Sequence, residues 1–235
     1  LRELNKKSIF VVADLITDII NAPNVNAIVT DKDDTRIICI SDQILRGNKY
    51  LGNVYPSKVS SNQKDEIISV TKKVGNYLSV LGFRGIFGID FLIDKKGQIF
   101  TTDLNPRRQG GYLCNVLMSK PDIVEMELDV ALGKKPAVFD HDDFQPKYAW
   151  AHSKIKPYQH NTKIKNSFVS GVFSDPFKNL GSMFCCIFYP ENHIFVDGNV
   201  GYFITTGKTH DEVKDKTIKE SEIILSKNLE TYEGL

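Results

Sequence analysis

The run FTTDLNPRRQGG, Phe100 to Gly111, sets an acid and an amide two residues apart and then passes through Pro-Arg-Arg to Gly-Gly. Residues two apart on a strand share a face, so Asp103 and Asn105 point the same way, as do Gly88 and Asp90 in the preceding segment GIFGIDFLI. If DKKGQI closes a four-residue hairpin loop, Asp94 lies opposite Ile99 and Asp90 opposite Asp103. Two carboxylates and one amide oxygen then form a cluster of hard ligands. Mg²⁺ takes such a set, leaving phosphates and water to complete its shell. Arg107, just past the strand, can reach phosphate oxygens with its planar fork. Gly110 and Gly111 permit close backbone approach to an anion. The same residues also read as a solvated sheet face with Arg107 and Arg108 as salt-bridge partners. Spacing alone leaves both readings open, although a solvated face requires neither Pro-Arg nor Gly-Gly beside its acids.

These residues must be held by strands and a helix. GIFGIDFLI and QIFTTDLN read as the two strands of the hairpin. Upstream, NAIVTD and RIICISDQIL flank the polar turn DKDDT as a second hairpin; an EF-hand reading of that turn fails for want of its central Gly and closing Glu. NKYLGNVYPSKVSS, with Gly52 and Pro56, reads as a loop. Ile67, Ile68, Val70, Val74, Leu78 and Leu81 recur at helical spacing, with Ser61 as N-cap and Gly82 at the C-terminal end. Residues 112–133 read as helix broken at Pro121. KKPAVFDHDDFQPK reads as a linker, followed by strands near YAWAHSKI, SFVSGVF, SMFCCIFYP and VGYFITTG. A last helix begins after Thr209 as its cap.

The chain has 235 residues, 41% hydrophobic and 25% charged, which suits one large or two small globular domains. A net charge of +1 and the lack of a basic stripe with interleaved aromatics argue against nucleic acid as partner. No apolar run approaches a membrane span and no signal peptide opens the sequence, so a cytoplasmic setting without membrane contact is expected. Cys39, Cys114, Cys185 and Cys186 lack zinc-ligand spacing and read as buried thiols in a reducing compartment; the five His form no metal-ligand pattern.

RGIFGIDFLIDKKGQIFTTDLNPRRQGG resembles the metal-binding hairpin of ATP-grasp enzymes, closest to the biotin-carboxylase-like and carboxylate–amine ligase branch. The family pattern is a Gly-x-(Glu/Asp)-Phe strand, a short turn, and a strand ending Glu-x-Asn-Pro-Arg. VVADLI sits where the adenine-contacting hinge strand lies, NAPNVNAIVTDKDD follows it, and SDQILRGNKYLGNVYPSKVSS is similar to the segment before the helix. The resemblance covers about Phe10 to Gly133, and the tail VDGNVGYFITTGKTHDEVKDKT resembles the end of such ligases more weakly.

The resemblance implies an α+β fold: an antiparallel sheet with packed helices, the C-terminal lobe of the ATP-grasp fold, over 1–140, then a small α+β subdomain over 141–235. Its cofactors would be ATP and Mg²⁺. Asp90, Asp103 and Asn105 would hold the metal, and Arg107 would steady the transferred phosphoryl group or the acyl phosphate. Ala13 and Leu15 would face adenine through their backbones, Asp14 would reach the nucleotide, and Gln109, Gly110 and Gly111 would border the acceptor carboxylate. The reaction would activate a carboxylate as an acyl phosphate for capture by an amine or similar nucleophile. Both metal acids are Asp, where Glu is common at the second position, so the strands must come closer to the ions or bind through water. The lobe that supplies the family's phosphate-binding lysines and Gly-rich flap precedes the hinge strand, and only nine residues precede Phe10. Expected partners are therefore small carboxylate and amine substrates and an N-terminal lobe or partner subunit, with a homo-oligomer compatible. The competing expectation is a non-catalytic scaffold subunit derived from the same fold.

Overall fold

The computed structural model describes residues 15–47, 49–119, 122–136, 146–155, 162–164, 171–172, 180–186, 194–195 and 201–231. The hairpin of β2 (Pro23–Asp31) and β3 (Asp34–Arg46) turns through Lys32 and Asp33, with Asp33 at φ 56°. The expected loop after it is instead strand β4 (Lys49–Tyr55), paired with β3 from Asp42↔Val54 to Arg46↔Lys49. Gly and Asn are poor strand formers, but Gly52 is required here: a Cβ at that position would run into the main-chain carbonyl of His152 on the next strand.

Helix α1 (Ser61–Val80) begins at the residue expected to be its cap. Ser60 is the N-cap, its hydroxyl accepting from Gln63 N at 3.3 Å while Gln63 Oε1 accepts from Ser60 N at 3.0 Å, a complete capping box. Leu81 is the C-cap, and Gly82 just beyond it takes φ 84°, which suits a residue without a side chain. Strand β5 (Gly85–Asp94) then pairs with β2 on one edge and with β6 (Ile99–Asn105) on the other, both antiparallel, while the short β1 (Ile19–Asn21) continues the β2 edge. Helices α2 (Tyr112–Met118) and α3 (Ile123–Ala131) follow, divided near Pro121 as the sequence suggests.

The expected domain boundary near residue 140 falls within 137–145, outside the described residues. Sheet pairing runs across it: β7 (Ala149–Ile155) pairs with β4, and β12 (Gly201–Gly207) with β7. β10 (Ser182–Cys186) and β9 (Gly171–Val172) extend the far edge, giving a ten-stranded sheet. A separate three-stranded sheet joins β8 (Thr162–Ile164), β11 (Ile194–Phe195) and β13 (Leu229–Thr231). Helix α4 (His210–Asn228) follows Thr209, whose hydroxyl accepts from Glu212 N at 3.3 Å. Cys39 and Cys114 are buried free thiols as expected, whereas Cys185 is only partly buried; the side chain of Cys186 lies outside the described set.

Alternation along the strands sorts the core onto two faces. Val25, Ala27, Val29, Phe87, Ile89 and Phe91 pack with Ile67 and Leu78 of α1. Val54, Ala149 and Ala151 pack with Val213 of α4 on the same side. The intervening residues Ile28, Ile86 and Trp150 pack with Cys114 of α2 and Ile123, Met126 and Val130 of α3 on the other. The part of that second face not covered by α2 and α3 carries the polar residues described next.

Candidate functional site

The β5–β6 turn is tied by one carboxylate: Asp94 Oδ1 accepts from Lys96 N and Gln98 N, both at 2.9 Å, and Gly97 takes φ 80°. Pairing from this turn starts at Ile93↔Ile99, not at Asp94↔Ile99 as the simple loop predicts. Left unbroken, that register would carry Asp103 past Asp90. A β-bulge between Asp90 and Phe91 inserts Thr102, whose hydroxyl donates to the Asp90 carbonyl at 3.0 Å, and restores Asp90↔Asp103 and Gly88↔Asn105.

Asp90, Asp103 and Asn105 therefore converge. Asn105 Nδ2 donates to Asp103 Oδ2 at 2.8 Å and lies 3.5 Å from Asp90 Oδ2. Phe91 turns to the opposite face and is fully buried against the α1 cluster, as expected. Leu104, paired with Ile89, shares that face but is 42% exposed, because β6 is an edge strand reaching beyond the cover of α1.

Asp90 sits deepest. Asn24 Nδ2 donates a short hydrogen bond to its Oδ1, and Gln109 Nε2 donates to the same oxygen at 3.3 Å. Burial pushes the Asp90 carboxyl above its ordinary range and the neighbouring Asp103 charge adds to this, while the amide donors of Asn24, Gln43 and Gln109 oppose it. Gln109 fits there because Gly88 has no Cβ; one at that position would occupy the space of the Gln109 amide. Arg107 faces the same site but donates to Asn105 Oδ1 at 2.7 Å, so the amide, not a carboxylate, receives the guanidinium.

A cleft of about 210 Å³ opens over this cluster, lined by Asp90, Asp103, Asn105, Arg107, Gln109 and Gly110. The facing wall is Asn24, Gln43, Tyr50, Asn53 and Lys154, none singled out by the sequence reading. Tyr50, Asn53 and Lys154 lie on β4 and β7. Tyr50 donates to Asn53 Oδ1, Asn53 Nδ2 donates to Ser41 Oγ at 3.2 Å, and Lys154 Nζ lies 4.7 Å from the Tyr50 ring centre. Burial raises the Tyr50 hydroxyl well above its ordinary pKa, so it stays protonated as a donor. The signal available in sequence was the alternation of Asn24 and Asn26 in an apolar strand: both are buried, Asn26 Nδ2 donates to Asn24 Oδ1 at 3.2 Å, and Asn26 Oδ1 has no partner among the described residues.

The other expected positions are less uniform. Gly111 packs against Trp150, where a Cβ would lie 3.1 Å from the indole ring, and does not line the cleft. Gly110 does, and a Cβ there would collide with the Tyr50 hydroxyl. Leu15 is 87% exposed and is absent from the lining; Ala13 and Asp14 lie outside the described residues.

The donor set suits Mg²⁺. The two carboxylates meet on one surface with the Asn105 N–H between them; the Asn105 oxygen faces Arg107, so that amide must turn over before it can ligate. Among the described residues no three His, Cys, Asp or Glu side chains form a metal cage. Such a set leaves coordination positions for phosphate oxygens and water.

Residues 1–111 match the model of the ATP-grasp domain family. Just under half of the chain is thus similar to ATP-grasp domains. An L-propargylglycine–L-glutamate ligase of Streptantibioticus cattleyicolor is 28% identical over 100 residues, which are 43% of this chain and 20% of that ligase. Two solved structures share the ATP-grasp architecture. Pyruvate carboxylase from Rhizobium etli superposes with a TM-score of 0.67 at 13% identity, over 93% of this chain and 21% of that one. The biotin carboxylase domain of 2-oxoglutarate carboxylase from Hydrogenobacter thermophilus, solved with MgADP and bicarbonate, gives 0.65 at 14% identity, over 87% and 45%. The chain thus spans a fifth of the ligase and just under half of the biotin carboxylase domain.

Proposed function

We propose that this chain supplies the Mg²⁺- and phosphate-binding half of an ATP-dependent ligase that activates a carboxylate as an acyl phosphate for capture by an amine. The observation that carries the proposal is the convergence of Asp90, Asp103 and Asn105 with Arg107 and Gln109 in one cleft. The naming of the Streptantibioticus relative for two amino acids supports the carboxylate–amine class.

Asp90 and Asp103 would hold the metal, joined by the oxygen of Asn105 once its amide turns over from Arg107, and the metal would neutralise phosphate charge. Arg107 would steady the phosphoryl group as it passes from ATP to the carboxylate oxygen, ADP being the leaving group. The amine then attacks the acyl carbon, inorganic phosphate leaves, and the amine's proton passes to solvent. The residues of this chain act by positioning and charge neutralisation, which is what phosphoryl transfer requires. Gln109 and Gly110 would border the carboxylate. Because the chain spans only part of its relatives, the rest of the phosphate cradle and the substrate pockets are assigned to residues outside it or to a partner subunit.

The test is ADP release by the full-length protein containing this chain, supplied with Mg-ATP and pairs of L-amino acids. Release that needs Mg²⁺ and both amino acids supports the ligase. Tight nucleotide binding with no ADP release under any pairing would overturn it in favour of a scaffold.

A further inference from the structure

Arg107 and Arg108 are neighbours that diverge. Arg107 turns into the cleft, while Arg108 turns away and meets α3. Arg108 Nε donates to Glu127 Oε1 and Oε2 at 3.0 and 3.1 Å, and one of its terminal nitrogens lies 2.9 Å from Glu127 Oε2. The Arg108 guanidinium also lies 4.9 Å from the centre of the Tyr112 ring, and the Tyr112 hydroxyl donates to that same Oε2 at 2.6 Å. One carboxylate thus holds residue 108 and residue 112, the two flanks of the Gln109–Gly110–Gly111 turn.

A lone exposed ion pair contributes little. This arrangement differs in three ways. The Glu127 side chain is only 20% exposed, its oxygens receive several donors, and the Arg fork engages both of them. Its base is firm, because Ile123, Met126 and Val130 of the same short helix are buried in the core. The turn itself holds few main-chain bonds: Arg107 N to Asn105 O at 2.7 Å, Tyr112 N to Gln109 O at 3.1 Å and Asn115 N to Gly111 O at 3.1 Å. Arg107 in turn leans on its neighbour, donating to the Arg108 carbonyl at 3.1 Å. Moving residue 108 therefore moves the main-chain group on which the Arg107 guanidinium rests.

We infer that Glu127 is a positioning residue which, through Arg108 and Tyr112, holds the 106–111 turn so that Arg107 and Gln109 face the cleft. Its carboxylate touches no reacting group. The effect on turnover rests on the role proposed for Arg107; the effect on the turn does not.

The test compares Glu127→Ala, Glu127→Gln, Arg107→Ala and the double variant Arg107→Ala/Glu127→Ala in the full-length protein, by amide hydrogen exchange and by ADP release from Mg-ATP with L-amino acids. Glu127→Ala is expected to speed exchange at 107–111 about 10-fold while the amides of β5 keep their protection. It should lower kcat about 10-fold and leave KM for ATP within about twofold, because misplacement costs the transfer step more than binding. Glu127→Gln, which keeps an acceptor oxygen, should recover part of both effects. The double variant should be no slower than Arg107→Ala alone, since both changes remove one action. Unchanged exchange at 107–111, faster exchange spread over all of α3, or additive losses in the double variant would overturn the inference. Arg107→Ala with unaltered ADP release would overturn the proposed role of Arg107, and the exchange measurement would still decide whether Glu127 holds the turn.

Discussion

Asp90 and Asp103 stand opposite each other across β5 and β6 because Thr102 is bulged out between them and the turn. The pairing puts two acids on one face with only amide donors between them. Asp103 is solvent-exposed and supports no core contact. Asp103→Asn in the full-length protein should therefore keep the fold and its melting temperature. ADP release should fall by ~10²-fold, a barrier increase of about 3 kcal/mol. Normal turnover with a much lower melting temperature would make Asp103 a structural residue.

Gly52 belongs to a close approach between two central strands. Its position leaves no room for a methyl group, because the obstacle is the His152 carbonyl and not a movable side chain. Gly52→Ala should destabilise the chain by ~3 kcal/mol or more, since strands β4 and β7 must part. Denaturant titration of the variant measures this, and a loss below about 1 kcal/mol would show that the sheet relaxes there at little cost.

His152 is buried on β7 with Nε2 3.3 Å from Asn53 Oδ1, to which it donates. Burial lowers its pKa to about 3, with Lys154 adding to the effect. The native state thus keeps His152 neutral where the unfolded chain, at about 6.5, takes up a proton. Stability from this group is present above pH 6.5 and is lost as pH falls toward 3, by about 2 kcal/mol at pH 5. Chemical denaturation at pH 5 and pH 7 should show a smaller difference in His152→Gln than in the parent. An equal difference would mean that His152 protonates in the folded state without cost.

The start of α1 separates two adjacent serines. Ser60 makes the capping box and Ser61 is the first helical residue. Ser60→Ala should cost about 1 kcal/mol, while Ser61→Ala should change stability by only a few tenths. The reverse order in a thermal melt would move the helix start by one residue.

Short-range features were legible in sequence. The period of two in Asp103 and Asn105, the α1 stripe from Ile67 to Leu78 and the DKDDT turn are set by residues a few positions apart, and the structure reproduces them; Leu81, expected in that stripe, is the exposed C-cap. Leu104 and the first hairpin pair were read less well, because an edge strand lacks the cover assumed for it and a bulge leaves no mark in composition.

The far wall of the cleft is different in kind. Gly52 and Asn53 favour a loop when read alone, and β4 becomes a strand because β3 and β7 supply hydrogen bonds on both of its edges. With β4 hidden, Tyr50 and Asn53 had no face to belong to, and Lys154, a hundred residues further on, had no neighbour. The sequence by itself determined the acidic hairpin, whose parts find each other through one tight turn. Only the tertiary structure decided what stands across from it, since that depends on which distant strands share a sheet, and no local preference encodes a contact between residues so far apart.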